Sequence, residues 1–188
     1  MVGTPTVEEP MPTIDLKQTD RSWYSPGPEP ETVVLPALGY LMVDGDGAPD
    51  PDTNPGYGAA IASLYPVAYG VRGAIQANSG DAYVVMPLEG LWWADDMGAF
   101  VDGNRDAWRW TLMIRLPPVA DASMVEAVIG DTTSRKNLPA ETRYEMLDEG
   151  TVAQVLHLGP YSAEAPVIAG LHDYIASVGN VPTGRHHE

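Results

Sequence analysis

The chain has no cysteine among its 188 residues, so neither disulfides nor thiolate metal sites are available to it. Basic residues are also scarce. Ten Lys and Arg stand against 26 Asp and Glu, for a formal net charge of −16. That balance argues against nucleic-acid phosphates and anionic membranes as partners and admits neutral or cationic ones. No apolar run approaches the length of a membrane span and no basic-then-apolar leader opens the sequence, so a soluble cytoplasmic protein is the expectation. Phenylalanine occurs once, against five Trp and nine Tyr. Nearly every aromatic side chain therefore carries a hydrogen-bonding group, which suits recognition surfaces better than dry cores.

The most unusual stretch is Met86-Pro87-Leu88-Glu89-Gly90-Leu91-Trp92-Trp93-Ala94. Burying Glu89 beside indole rings would disfavour its charge, while exposing both tryptophans would leave about 150–250 Å² of side chain each in water. Adjacent strand residues face opposite ways, so at most one of Trp92 and Trp93 belongs to the core. A ligand pocket would account for the other. Glu89 could equally be a solvated turn residue.

Along the chain, residues 1–30 are rich in Pro, Thr and Glu and read as an irregular arm, ordered only where Trp23-Tyr24 docks. A β-rich stretch over 32–44 is broken near Pro36 or Gly39, and a Gly/Asp/Pro loop covers 45–56. Apolar spacing predicts a helix over 57–76, kinked at Pro66, and then a strand over 83–86. Trp108 to Leu116 gives the cleanest strand, with one apolar and one mixed face. A short helix capped by Asp121 or Ser123 runs through Ile129. Residues 144–147 and 152–158 read as a hairpin or a bent strand, and a helix capped by Ser162 is stopped by Gly179. An offset of 112 residues aligns Leu35 with Leu147, Val43 with Val155 and Gly47 with Gly159, which favours a duplicated unit.

Several motifs in order resemble the GyrI-like small-molecule-binding family. They are Leu41-Met42-Val43-Asp44-Gly45-Asp46-Gly47, Leu64-Tyr65-Pro66-Val67-Ala68-Tyr69, Val85 to Trp93, Trp110-Thr111-Leu112-Met113, Leu156-His157-Leu158-Gly159-Pro160-Tyr161 and Gly184-Arg185-His186-His187-Glu188. The resemblance implies an α+β fold over 31–188: duplicated β-α-β-β units (about 31–116 and 141–188) forming a mostly antiparallel sheet backed by two helices, with a ligand groove on the opposite face. Relatives usually continue beyond the Glu188 position with a further strand, where this sequence stops; that would leave a sheet edge open. The Pro-Leu-Glu-Gly-Leu-Trp-Trp signature is similar to that of cyclopropanoid cyclopropyl hydrolases, which open the strained ring of duocarmycin-type alkylating compounds by adding water inside an aromatic cage.

Carried onto this sequence, the resemblance implies a site with Glu188 and Glu89 as candidate catalytic carboxylates and Tyr161 as a hydroxyl for the substrate carbonyl. Tyr40, Tyr65, Tyr69, Trp92, Trp93, Trp110, Tyr144 and His157 would line it around a bulky aromatic ligand. Tyr65 and Trp110 also lie on amphipathic stripes, so simple core packing competes for both. No cofactor is implied. No histidine pair has the spacing of a zinc-binding helix, and on a strand His186 and His187 would point opposite ways, so no metal is expected. Binding or sequestering the compound without chemistry, as an effector-binding domain does, is the alternative. Inhibition of a partner protein is a third.

Overall fold

A computed structural model describes residues 13–96 and 98–188; the first twelve residues of the expected N-terminal arm lie outside them. In chain order the elements are β1 (Thr13–Ile14), α1 (Leu16–Thr19), α2 (Arg21–Tyr24), β2 (Glu31–Val34), β3 (Leu38–Asp46), α3 (Pro55–Ser79), β4 (Ala82–Tyr83), β5 (Glu89–Ala94), α4 (Gly98–Val101), β6 (Trp108–Arg115), α5 (Ala122–Lys136), β7 (Arg143–Leu147), β8 (Thr151–Gln154), α6 (Ala165–Ser177) and β9 (His186–His187). The fold is α+β, built on a five-stranded antiparallel sheet in the order β7-β3-β6-β5-β9.

The alternation in β6 sorts the two faces of this sheet. Trp110, Leu112, Ile114 and the following Leu116 enter the main core with Leu41 and Val43 of β3 and Trp92 of β5. Met113 points the other way and joins Tyr40, Met42 and Leu91 in a smaller apolar cluster, against which Leu38, Trp93 and Leu147 pack. Helix α3 covers the main core with Leu64, Val67, Ala68, Val71 and Ile75, all buried. Asn54 caps it by accepting from the Gly56 N–H, and Gly80, with a φ of 80°, closes it.

The helix runs unbroken through Pro66. The proline costs one backbone hydrogen bond, and buried residues on both sides of it hold the turn against the sheet. α5 is longer than its sequence suggests. Asp121 caps it by accepting from the Met124 N–H, and it passes Gly130 to reach Lys136, where Asn137 adopts the left-handed conformation. Val125, Ile129 and Thr132 are the residues it buries. α3 and α5 pack side by side against the five-stranded sheet. The second helix expected from the sequence, α6, lies along β8 instead. Ser162 does not cap it. That residue sits in a 3-10 turn over 161–163, Glu164 takes the cap position, and Pro166 occupies the first turn, where its missing N–H is no loss.

The strand expected over 83–86 is confined to β4, which pairs in parallel with β1. Pro87 cannot donate to a ladder, Met86 turns into the core, and pairing resumes only at Glu89. The two stretches over 144–158 form a bent strand rather than a hairpin: β7 pairs with β3 and β8 with β2. Both ladders share one register, since four residues on from Val34 (opposite Thr151) stands Leu38, opposite Leu147. The interruption falls at Pro36, where a donor is missing, and at Gly150, whose φ is 61°.

The described part of the N-terminal arm is more ordered than its composition suggests. α1 and α2 fold over the end of the sheet where β5 begins and β6 stops, with Leu16 buried in the main core and Tyr24 packed against it.

Gly45 sits opposite Trp110 across β3 and β6, and a Cβ there would lie 2.1 Å from the indole ring. Because Trp110 is buried and cannot withdraw, Gly45→Ala should destabilise the protein by about 1–3 kcal/mol through overpacking. Urea unfolding monitored by circular dichroism reads this directly; an unchanged midpoint would show that the ring has room to shift.

Candidate active site at the sheet edge

β9 is an edge strand of two residues, extended by a mutual pair of backbone hydrogen bonds between Gly90 and Glu188 at 2.8 and 2.9 Å. Its side chains alternate, so His187 faces one side of the sheet and His186 and Glu188 the other. Each side holds a histidine–carboxylate cluster, and the two clusters differ in access to solvent.

On the face away from α3 and α5, His187 is clamped between two carboxylates. Its Nδ1 lies 3.1 and 3.2 Å from the two oxygens of Glu149, and its Nε2 lies 3.2 Å from Oε2 of Glu89. The other oxygen of Glu89 accepts from the Tyr24 hydroxyl at 3.3 Å, and Arg115 donates to that hydroxyl at 3.3 Å while pairing with Asp20. The guanidinium also lies 5.3 Å from the Trp23 ring centroid and 5.5 Å from that of Tyr24. Burial alone would lower the pKa of His187, but the hydrogen bonds its ring donates to Glu149 and Glu89, and the charges of those carboxylates, overcome it and raise it to about 9. Burial, followed by the charge of Glu89, pushes the hydroxyls of Tyr24 and Tyr40 up, so both stay protonated. Glu89 is 8% exposed and has a partner on each oxygen. It is an anchored group.

On the helix side, His186 Nε2 lies 3.1 Å from Glu188 Oε1, and both side chains are 32% exposed. His186 stands opposite Trp92, and Trp92 opposite Trp110. The Trp92 indole lies over Gly90, where a Cβ would come within 2.9 Å of Nε1; Gly90 is the backbone partner of Glu188. Tyr57 of α3 meets Trp110 edge-on at 5.3 Å, and Trp108 meets Trp92 at 6.1 Å with Phe100 stacked on it at 4.6 Å. Burial raises the Tyr57 hydroxyl, with Tyr161 and Glu188 adding to the effect. Burial and then Glu188 raise Glu164, against the opposing influence of His186, His157 and Arg105. Tyr57 and Glu164 thus share the electrostatic neighbourhood of Glu188, and Tyr161 that of Tyr57. Among the described residues, the indole nitrogens of Trp92 and Trp110 are buried without an acceptor, as is His157 Nδ1. His157 Nε2 lies 3.1 Å from the Pro160 carbonyl oxygen.

The candidate site residues are therefore divided between the two faces. Glu188, Trp92, Trp110 and Tyr161 stand on the helix side, with both tryptophans buried in the main core and Tyr161 exposed. Glu89, Tyr40 and Trp93 stand on the other, where Arg185 lies 3.9 Å over the Trp93 ring. Tyr65 and Tyr144 are half-buried against the main core, and Tyr69 is exposed on α3. Sequence reasoning missed His187, Glu149, Tyr24, Arg115, Tyr57, His186 and Glu164. An arginine on the mixed face of an otherwise apolar strand was the one available signal for the buried network. Among the described residues no three His, Asp or Glu side chains converge on a metal position, and no helix is long and apolar enough to cross a membrane.

The raised pKa of His187 fixes a sign for pH dependence. A group that binds its proton more tightly when folded stabilises fully below its unfolded value of 6.5, and the contribution disappears as pH rises to about 9. The wild-type unfolding free energy should therefore drop by on the order of 3 kcal/mol more between pH 6.5 and 10 than that of His187→Leu. Equal slopes in urea titrations of the two proteins would show that the clamp carries no such linkage.

No family model matches this sequence, and neither does any curated protein. Solved structures do. An uncharacterized conserved protein from Listeria innocua superposes with a TM-score of 0.81 at 30% identity, over 93% of this chain and 88% of that one. A hydrolase from the same organism gives a TM-score of 0.77 at 29% identity, again over 93% and 88%. Another Listeria innocua hydrolase structure gives 0.80 at 29% identity, over 94% and 88%. At this identity and coverage, the chain belongs to the same family as the uncharacterized conserved protein from Listeria innocua.

Proposed function

We propose that the protein is a hydrolase acting on bulky aromatic small molecules held at the helix-side edge of the sheet, with Glu188 and His186 as the water-activating pair. One observation carries the reading. An accessible carboxylate–histidine pair stands beside an aromatic wall whose two indole N–H groups are buried without acceptors. The hydrolase relatives at 29% identity support the reaction class.

The substrate class we favour is a cyclopropanoid of the duocarmycin type. Its strained ring is conjugated to a carbonyl, so the chemistry needs a base for water and a donor for the carbonyl oxygen. Water oxygen bonds to the cyclopropane methylene while Glu188, through or beside His186, takes a water proton. The ring C–C bond breaks, its electron pair enters the conjugated ring, and the carbonyl oxygen becomes a phenolate that is then protonated. The sum is addition of one water. Tyr57, whose raised pKa keeps its hydroxyl protonated, donates to that oxygen as charge develops, and Tyr161 offers a second hydroxyl. Glu89 has its oxygens engaged by Tyr24 and His187, and its role in this scheme is structural.

Incubating the protein with a cyclopropanoid and following the water adduct by mass spectrometry tests the scheme. Glu188→Gln should lower kcat by about 100-fold or more, the usual scale for a lost general base. Undiminished turnover in that variant sinks the assignment. Stoichiometric uptake of the compound with no adduct would instead identify a sequestering protein.

A further inference from the structure

The Glu89–His187–Glu149 cluster is too elaborate for a two-residue edge strand unless it holds that strand. β9 pairs with β5 alone among the described strands, through few backbone bonds. Such an edge is weakly specified in register, and a slip of one residue would send every side chain to the other face. Here a slip would move Glu188 away from Trp92 and Tyr57 and bring a histidine in its place. We propose that His187 is a positioning residue: bridging Glu89 of β5 and Glu149 of the turn between β7 and β8, it locks the register of β9 and so fixes the face on which Glu188 stands.

The geometry gives the lock its specificity. Glu89 is itself immobilised by Tyr24, which Arg115 and Asp20 hold in turn, so one jaw of the clamp is built into the folded N-terminal segment. The other jaw, Glu149, is on a different strand pair, so the bridge ties β9 to β5 and to the β7–β8 turn together. The groups facing His187 are Glu89 from β5 and Glu149 from the turn. Behind them stand Tyr24 from α2, Tyr40 from β3 and Arg115 from β6, with Arg185 the charged neighbour on its own segment. With two carboxylates on its two nitrogens, only the doubly protonated ring donates to both. Loss of one proton turns a nitrogen lone pair toward a carboxylate, and that half of the bridge becomes repulsive. The consequence for function rests on the reading of Glu188 as the base.

Gly90 and Glu188 exchange both backbone hydrogen bonds, so Leu91 and His187 form the close pair of the ladder, with Cα atoms about 4.5 Å apart. Their Hα–Hα nuclear Overhauser cross-peak reports the register without relying on exchangeable protons. In the wild type it should be strong at pH 7 and fade through about pH 9 as His187 deprotonates, while signals of β3 and β6 stay in place. In His187→Leu and Glu149→Gln the corresponding cross-peak should be weak at both pH values, and kcat for cyclopropanoid hydrolysis should fall by about 100-fold, as misplacement of a reacting group does. A cross-peak that keeps full intensity at pH 10 and in both variants overturns the proposal, whatever happens to turnover. A lost cross-peak with unchanged turnover supports the clamp and overturns the assignment of Glu188 as base.

Discussion

Because side chains alternate across a pleated strand, β5 cannot present Glu89 and Trp92 to the same side, and β9 cannot do so with His187 and Glu188. This parity organises the molecule. In β6 it separates an apolar row that packs under α3 and α5 from a mixed row that ends in Arg115. In β5 it places an anchored carboxylate on one face and an indole on the other. In β9 it produces two histidine–carboxylate clusters from three consecutive residues. All of this depends on the β5–β6 ladder, which is in register from Glu89 opposite Met113 to Ala94 opposite Trp108.

The two glutamates differ through their surroundings rather than their chemistry. Glu89 has lost most of its water and replaced it with a tyrosine hydroxyl and an imidazolium. That exchange suits a buried charge, since an unpaired carboxylate in such a place would be far more costly than a paired one. Glu188 keeps a third of its surface and one histidine neighbour. In a chain carrying 16 excess negative charges, a cation placed between two carboxylates also relieves local repulsion, which explains why a histidine there binds its proton so firmly.

Much of the fold was legible because the β6 alternation and the α3 apolar stripe are long and regular. What the sequence could not disclose was set by tertiary contact. Pro66 looks like a helix breaker, but Leu64, Val67 and Val71 hold the turn to the sheet. α6 has a good apolar stripe, yet a stripe does not say which surface it meets, and it lies along β8. At the site, Glu89 and Glu188 were both visible as candidates. The partners that distinguish them, Tyr24 and Glu149, stand 65 and 38 residues away from the groups they touch. The single lining that the resemblance implied is divided, since parity sends Tyr40 and Trp93 to one face and Trp92 and Trp110 to the other.

A general base must meet water and exchange its proton within each turnover, whereas an anchor must do neither. One carboxylate cannot serve both ends, because the partners that fix an anchor occupy the lone pairs a base must use. On the proposed assignment of Glu188 as base, the sheet edge meets both demands with two carboxylates on neighbouring strands and opposite faces. Glu89 has both oxygens engaged and faces Tyr24; Glu188 has one oxygen on His186 and lies beside the aromatic wall. The backbone pairing of Gly90 with Glu188 makes the two roles mechanically continuous, since whatever holds β9 against Glu89 on one face fixes the place of Glu188 on the other.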